Sequence, residues 1–149
     1  MGNLLSRSIW FSRLVLGLGV LLFTRLGLSD LVAPVSVAGA TQTTLGSADA
    51  ITAVRVQGSV FIGIALILVY CLVSEGRLLA GLAFFSTIIT GVASVRLIGL
   101  WLDGPGGFTL MVLKAEVFMS LVSACAVLLE RRRSRSPASR SAPEIPSPP

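Results

Sequence analysis

Besides Arg13, near the start of the first, five ionisable side chains fall inside the long apolar stretches of this 149-residue chain, and they are its first candidates for chemistry. If the stretches span a membrane, each charge needs a reason, because a charge at the bilayer centre costs about 2.5–3.5 kcal/mol on insertion scales. Cations gathered at one depth could bind an anion, a lipid headgroup or a quinone, and a lone carboxylate could transfer protons. The five side chains are those of Arg25, Arg55, Arg96, Lys114 and Glu116.

The positions of these charges along their predicted helices indicate which of them lie at similar depths in the membrane. With a helical rise of 1.5 Å per residue, Glu116 lies about 12 Å beyond Phe108 and approaches the middle of its span, whereas Arg96 and Arg55 lie about 8 Å and 6 Å from the ends of theirs. We therefore predict that Glu116 pairs with Arg96 or Arg55, and that the remaining positive charge faces a cavity open to that side. Asp49 and Asp103, at the rim, could neutralise part of this charge. The predicted ligand-binding residues are Arg55, Arg96, Lys114, Glu116 and Asp103.

A structural interpretation of the same charges stays open. The arginines could extend to headgroup phosphates, and Glu116 with one arginine could form a buried pair that sets the register of two helices. Small residues, such as Ser59 and Gly63 in one stretch and Thr87 and Gly91 in another, predict close helix packing around the charges. They serve either the packing of the chain's own helices or the association of two copies.

Composition excludes several kinds of site. The chain has two cysteines and no histidine, so neither a zinc site nor a Cys–His or Ser–His catalytic pair can be assembled, and we expect no metal and no cofactor. Charged residues make up 13% of the chain and hydrophobic ones 54%, whereas soluble domains carry about 25% charged residues. The net charge of +5 is concentrated in a C-terminal arginine cluster, which suits an anionic membrane surface better than a nucleic acid.

The arrangement of apolar residues predicts the fold. A bilayer core about 30 Å thick needs roughly 20 apolar residues in a helix, and four stretches meet that requirement. Between the first two, Pro34 and Gly39 argue against a continuous helix over 29–50, and the short link 74–77 makes the spans that it joins antiparallel neighbours. We predict an all-α fold, an antiparallel bundle of four transmembrane helices followed by a disordered basic tail. The predicted spans are 9–28, 51–73, 78–102 and 108–129, and the tail is 130–149.

Basic residues predict the orientation. Arg7, Arg13, Arg77 and the C-terminal arginines belong to one side of the membrane, and the loops of the other side contain aspartates and no lysine or arginine. The positive-inside rule therefore predicts a multi-pass protein with both termini in the cytoplasm. We expect its membrane to be the plasma membrane. A cleaved signal peptide is the alternative for the first stretch, with 38–40 as a loose cleavage site, but Arg25 interrupts the apolar run.

A set of residues in the apolar stretches also resembles a known pattern. These residues are Arg55, Gly58, Gly91, Arg96, Asp103-Gly104-Pro105 and Glu116. Through them, over 14–129, the chain resembles a family of uncharacterised, mainly bacterial integral membrane proteins with four helices, which is a domain-of-unknown-function family. Ser59 stands where that family has a second glycine. The resemblance implies the four-span fold and a bacterial inner membrane, and it implies no activity.

Three functional classes follow from these features. We predict a non-enzymatic accessory or scaffold module whose spans or tail dock on a membrane-protein partner or on a second copy, with membrane lipids as the other expected partners. The alternative is a binder or carrier of a small ligand, lipid or anion that uses the predicted charge cluster. An intramembrane enzyme has less support, because Glu116 has no nucleophile, metal set or cofactor motif beside it.

Overall fold

The computed structural model describes residues 2–40, 45–104 and 106–135, and these fold into five α-helices and one short 3₁₀ turn with no strand among them. The helices are α1 (Gly2–Val32), α2 (Pro34–Ala40), α3 (Ala48–Leu72), α4 (Leu78–Asp103) and α5 (Gly107–Arg135), and the 3₁₀ turn is Glu75–Arg77. Four of the helices are long and apolar enough to cross a membrane. The predicted all-α, four-span bundle is therefore confirmed.

The predicted bounds of the first span are too short. α1 continues past residue 28 to Val32, and α2 follows after one residue. Two backbone hydrogen bonds, from Ala33 to Ser29 and from Val37 to Ala33, carry the helical pattern across the junction. Pro34 can begin α2 because its fixed φ suits the first helical position and its missing N–H has no partner to lose there. The prediction that 29–50 lacks a continuous helix is confirmed, because the helix breaks at residue 33 and is absent at 45–47, before α3 begins. Residues 41–44 lie outside the described part.

The last helix is also longer than predicted. α5 ends at Arg135 rather than near residue 129, so the prediction that the disordered tail begins at residue 130 is wrong for 130–135. The extension is held by local bonds: Arg133 donates to the carboxylate of Glu130, and the Ser134 hydroxyl donates to the Glu130 carbonyl oxygen. Such contacts three and four residues apart stabilise a helix beyond its apolar segment. The remaining tail, 136–149, lies outside the described residues.

The core lies where four helices meet. α1 packs chiefly against α3, α4 packs chiefly against α5, and α1 joins the two pairs by contacts with α4 and α5. Leu16, Leu68 and Phe85 are fully buried at this junction. Phe23 lies edge-on to Phe85, with ring centroids 6.2 Å apart. Aromatic pairs of this geometry stabilise by about 0.5–1.5 kcal/mol beyond the area that they bury.

The helices approach most closely at glycines other than those predicted. A methyl group on Gly58 would lie 2.8 Å from both the Asp30 Cβ and the Gly27 carbonyl oxygen, so the α1–α3 crossing requires glycine. By contrast, a Cβ at Gly63 or at Gly91 would meet nothing within 4 Å. Of the two roles left open for these small residues, close packing within the chain does not occur at Gly63 or Gly91, because a side chain there would meet open space.

The outer surface of the long helices is mostly apolar. Trp101 is 85% exposed, Val32 81% and Val73 73%, and many other large apolar side chains are exposed on every long helix. Because a surface of this kind is stable in lipid and not in water, the chain is a multi-pass membrane protein. Both described chain ends lie at one end of the bundle. We name it the terminal end (Ser12, Arg13, Glu75 and Glu130), and the opposite one the distal end (Gly27, Arg55, Arg96 and Glu116).

Candidate functional site

At the distal end, Arg96 of α4 and Glu116 of α5 form a bidentate ion pair. Arg96 Nε donates to Glu116 Oε2 at 2.8 Å and Nη2 donates to Oε1 at 2.9 Å. The Arg96 side chain is 28% exposed and that of Glu116 10% exposed. Of the two partners predicted for Glu116, the structure selects Arg96, and that prediction is confirmed.

The local chain explains why these two side chains meet. α4 and α5 are antiparallel and joined by only three residues, so positions equally far from the connection come to the same depth. At 1.5 Å per residue, Arg96 lies about 11 Å before the end of α4 and Glu116 about 14 Å after the start of α5. The two planar groups therefore face each other deep in the bilayer, where a matched pair avoids leaving either charge alone.

The other predicted site residues do not join this pair. Arg55 is exposed on α3, which packs mainly against α1, and Lys114 is exposed on α5. Lys114 precedes Glu116 by two positions, which turns it about 200° around the helix and away from Arg96. Within 2–40, 45–104 and 106–135, no ion pair involves Arg55 or Lys114. Asp103 is the last residue of α4, and its side chain lies outside the described part of the structure.

A groove runs along α4 beside the pair. Its volume is about 720 Å³, and Arg96 and Thr109 are the polar side chains nearest the distal end of its wall. Gly91 and Gly99 form part of its floor. Nε and one N–H of Nη2 are used by Glu116, which leaves three of the five guanidinium donors of this groove-lining side chain without a bond to Glu116. Since the pair is neutral as a whole, it would favour a neutral acceptor such as a carbonyl oxygen over a free anion.

A second polar cluster, at the terminal end, was not predicted from the sequence. Glu130 of α5 is 0% exposed, and its carboxylate accepts from the Ser12 hydroxyl of α1 at 3.1 Å and from Arg133 Nε at 2.8 Å. Arg133 Nη2 also donates to the same carboxylate. The sequence signal was an acid at the end of an apolar stretch with an arginine three residues later. Ser12 lies 118 positions away, and nothing local indicated its contribution.

Two further arginines occupy the same end of the bundle. Arg13 Nη2 lies 3.4 Å from Glu75 Oε1 in the 3₁₀ turn. The Arg77 guanidinium lies 4.2 Å from the centroid of the Tyr70 ring, in a cation–π contact. In the described part of the chain, no three His, Cys, Asp or Glu side chains come together in a way that could hold a metal ion.

The fold and the charge pair define a class: an α-helical integral membrane protein with four spans and a buried interhelical ion pair. The chain belongs to the family described as Domain of unknown function (DUF4345), whose model matches residues 11–127. The resemblance to a domain-of-unknown-function family of membrane proteins, predicted over 14–129, is thereby confirmed. Neither the curated proteins nor the solved structures contain a match to this sequence.

Proposed function

We propose that the protein is a non-enzymatic accessory or scaffold module of its membrane, which acts by packing its spans against a partner helix. The proposal rests on one observation: of the predicted charge cluster, Arg96 and Glu116 come together, and they form an ion pair. Glu116 is bound by two hydrogen bonds from Arg96, so neither group is poised as a free anion receptor or as a free acid or base. The exposed cations, Arg55 and Lys114, are on separate helices.

The outward face of α4 supports the docking role. Thr87, Gly91 and Ser94 are exposed there at helical spacing. The two hydroxyls donate to their own backbone, Thr87 to the Ala83 carbonyl oxygen at 2.9 Å and Ser94 to that of Thr90 at 2.8 Å. A face that is small and has no unsatisfied donor lets another backbone approach closely, as at the small-residue interfaces of membrane helices.

Gly91→Leu tests this role, with Gly63→Leu as the matched control. Both glycines have no atom within 4 Å of a Cβ, so neither change should disturb the bundle itself. A photo-cross-linking residue at Ile98, which is 56% exposed and follows Gly91 by seven positions, should form an adduct with one defined protein or a second copy. The adduct should disappear with Gly91→Leu and persist with Gly63→Leu. An adduct with lipid alone, or one insensitive to Gly91→Leu, would contradict the docking role.

A second candidate function is a small-ligand or lipid binder. It is favoured by the groove of about 720 Å³ and by the free donors of Arg96 that line it. In this alternative the Arg96–Glu116 pair is the polar part of the binding site. The ligand would be an apolar molecule with a carbonyl oxygen that accepts from Arg96. Native mass spectrometry in mild detergent separates the two functions. A stoichiometric small molecule that is lost with Arg96→Ala would favour the binder, whereas its absence leaves the docking role.

We also propose that both termini lie in the cytoplasm and that the membrane is the plasma membrane. The support for the orientation is the positive-inside rule, because the terminal end carries Arg13, Arg77 and the arginines of 131–135. A C-terminal fusion to a fluorescent protein that folds only in the cytoplasm should fluoresce. A fusion to a phosphatase that is active only outside the cytoplasm should be inactive, and the opposite pair of results would reverse the orientation.

A further inference from the structure

A groove of about 640 Å³ opens on the terminal end of the bundle between α1 and the end of α3. Its wall consists of Trp10, Arg13, Leu14, Leu72 and Val73. Four of these side chains are apolar, and the fifth, Arg13, is a cation. The groove could therefore hold an apolar chain that ends in a charged group. Trp10 is 69% exposed, and tryptophan is typical of the interface between the hydrocarbon core and the headgroups.

Among the arginines that pair with a carboxylate in the described part of the chain, Arg13 has the longest contact. Its one hydrogen bond within the described residues goes to Glu75 at 3.4 Å, whereas Arg96 and Arg133 reach their carboxylates at 2.8 Å. Its Nε is buried and has no hydrogen-bond partner in the described part of the chain. A guanidinium has five donors and a charge-assisted bond is strongest near 2.7–2.9 Å, so Arg13 has capacity for an additional anionic acceptor.

Glu75, the partner of Arg13, is also free to bind a further group. Its side chain is 60% exposed, and that of Arg13 is 35% exposed. The nearest other cation of the turn, Arg77, has its guanidinium over the Tyr70 ring. A loosely held acid and base thus lie side by side at the mouth of an apolar groove.

The depth of the pair matches a lipid headgroup. Arg13 lies near the start of the first candidate span, and its long side chain extends to Glu75 at 3.4 Å. Glu75 lies in the turn that precedes α4, at the same end of the bundle. A phosphate at the membrane interface would therefore be at the level of Arg13, with room for the outer part of the headgroup at Glu75.

We propose that this groove binds a zwitterionic phospholipid with a primary ammonium in its headgroup. The phosphate accepts hydrogen bonds from Arg13, the ammonium donates to Glu75, and one acyl chain lies along Leu14, Leu72 and Val73. The neutral Arg13–Glu75 pair is complementary to a headgroup that is itself neutral overall. A choline headgroup has no N–H to donate to Glu75, and a phosphatidylglycerol headgroup has no cation to face it. The site is independent of the docking face on α4.

The test compares three lipids of identical acyl chains: phosphatidylethanolamine, phosphatidylcholine and phosphatidylglycerol. The purified full chain in mild detergent is titrated with each, and retained lipid is measured by native mass spectrometry. The wild type should retain phosphatidylethanolamine about tenfold better than the other two, which is the equivalent of one charge-assisted hydrogen bond. Glu75→Gln, in an exposed turn, should keep the fold and abolish this preference, and Arg13→Gln should weaken the binding of all three.

Arg25→Gln is the matched control, because Arg25 is exposed on the same helix but belongs to the distal end. It should leave the order of the three lipids unchanged. Equal retention of the three lipids by the wild type, a preference for phosphatidylglycerol, or a preference for phosphatidylethanolamine that survives Glu75→Gln would each overturn the proposal.

Discussion

Replacing Glu116 by glutamine separates the contribution of the Arg96–Glu116 pair from that of the surrounding apolar contacts. The substitution keeps the shape of the side chain and removes its charge. The Arg96 guanidinium, which makes two hydrogen bonds to the Glu116 carboxylate at 2.8 and 2.9 Å in the wild type, would face a neutral amide deep in the bilayer. We expect the variant to fold with the same four helices and to be less stable than the wild type.

The size of the loss follows from the burial of the two groups. Removing one partner of a buried ion pair costs about 3–5 kcal/mol, since it leaves the other charge uncompensated. Glu116 is nearly buried, but the Arg96 side chain is 28% exposed. Because Arg96 lies about 11 Å from the end of α4, its long side chain can partly reach the headgroup region, which lowers the expected loss to about 2–3 kcal/mol.

Unfolding equilibria in mixed micelles, with increasing denaturing detergent, measure this loss. A double-mutant cycle with Glu116→Gln, Arg96→Gln and the double variant should give a coupling free energy of more than about 1 kcal/mol. Lys114→Gln is the control, since Lys114 is exposed on the same helix, and it should change stability by less than about 0.5 kcal/mol. If the stability losses of the two single variants are additive, with a coupling free energy below about 0.5 kcal/mol, the view that Glu116 neutralises Arg96 is refuted.

Two further predictions concern the contacts that hold the helices together, and both are measured as thermal midpoints in one detergent. Gly58→Ala should destabilise the protein by about 1–3 kcal/mol, because the new methyl would lie 2.8 Å from the Gly27 carbonyl oxygen. Alanine favours the helix over glycine by about 1 kcal/mol. A gain in stability would therefore contradict the prediction and show that α1 and α3 can move apart without cost. Gly63→Ala, with open space around it, is its control. Glu130→Ala should lower stability by about 1–3 kcal/mol, because the Ser12 hydroxyl loses its acceptor in a buried place. An unchanged midpoint would mean that water replaces the carboxylate.

The fold and the charge pair also bear on how the family could work. A bidentate pair near the middle of the bilayer holds α4 to α5 in one register, while a side chain added at Gly91 on the exposed face of α4 would meet nothing within 4 Å. A rigid helix hairpin with a small-residue outer face is suited to docking. The grooves at the two ends are separate, so lipid contact at the terminal end and protein contact along α4 can be tested independently.

Much of the architecture could be predicted from the sequence because the bilayer imposes it. Apolar runs of about 20 residues have one stable solution in lipid, a helix that satisfies its own backbone. The observed second and third long helices accordingly agree with their predicted spans within three residues. The pairing of Glu116 with a cation could also be predicted, since depth along each helix follows from the sequence number. The choice of Arg96 over Arg55 depended on which helices are neighbours.

The rotation of each helix about its axis could not be predicted in this way. In a soluble bundle a polar face marks the outside, but both faces of a membrane helix are apolar, so periodicity does not tell which one packs inward. For that reason Gly91 and Gly63 were expected in the interior, whereas the structure places Gly58 at the α1–α3 contact. The same limit hid the Ser12–Glu130 bond, which joins residues 118 positions apart. The length and hydropathy of each apolar stretch determine which segments cross the membrane. The packing of α1 against α3 and of α4 against α5 determines which side chains meet.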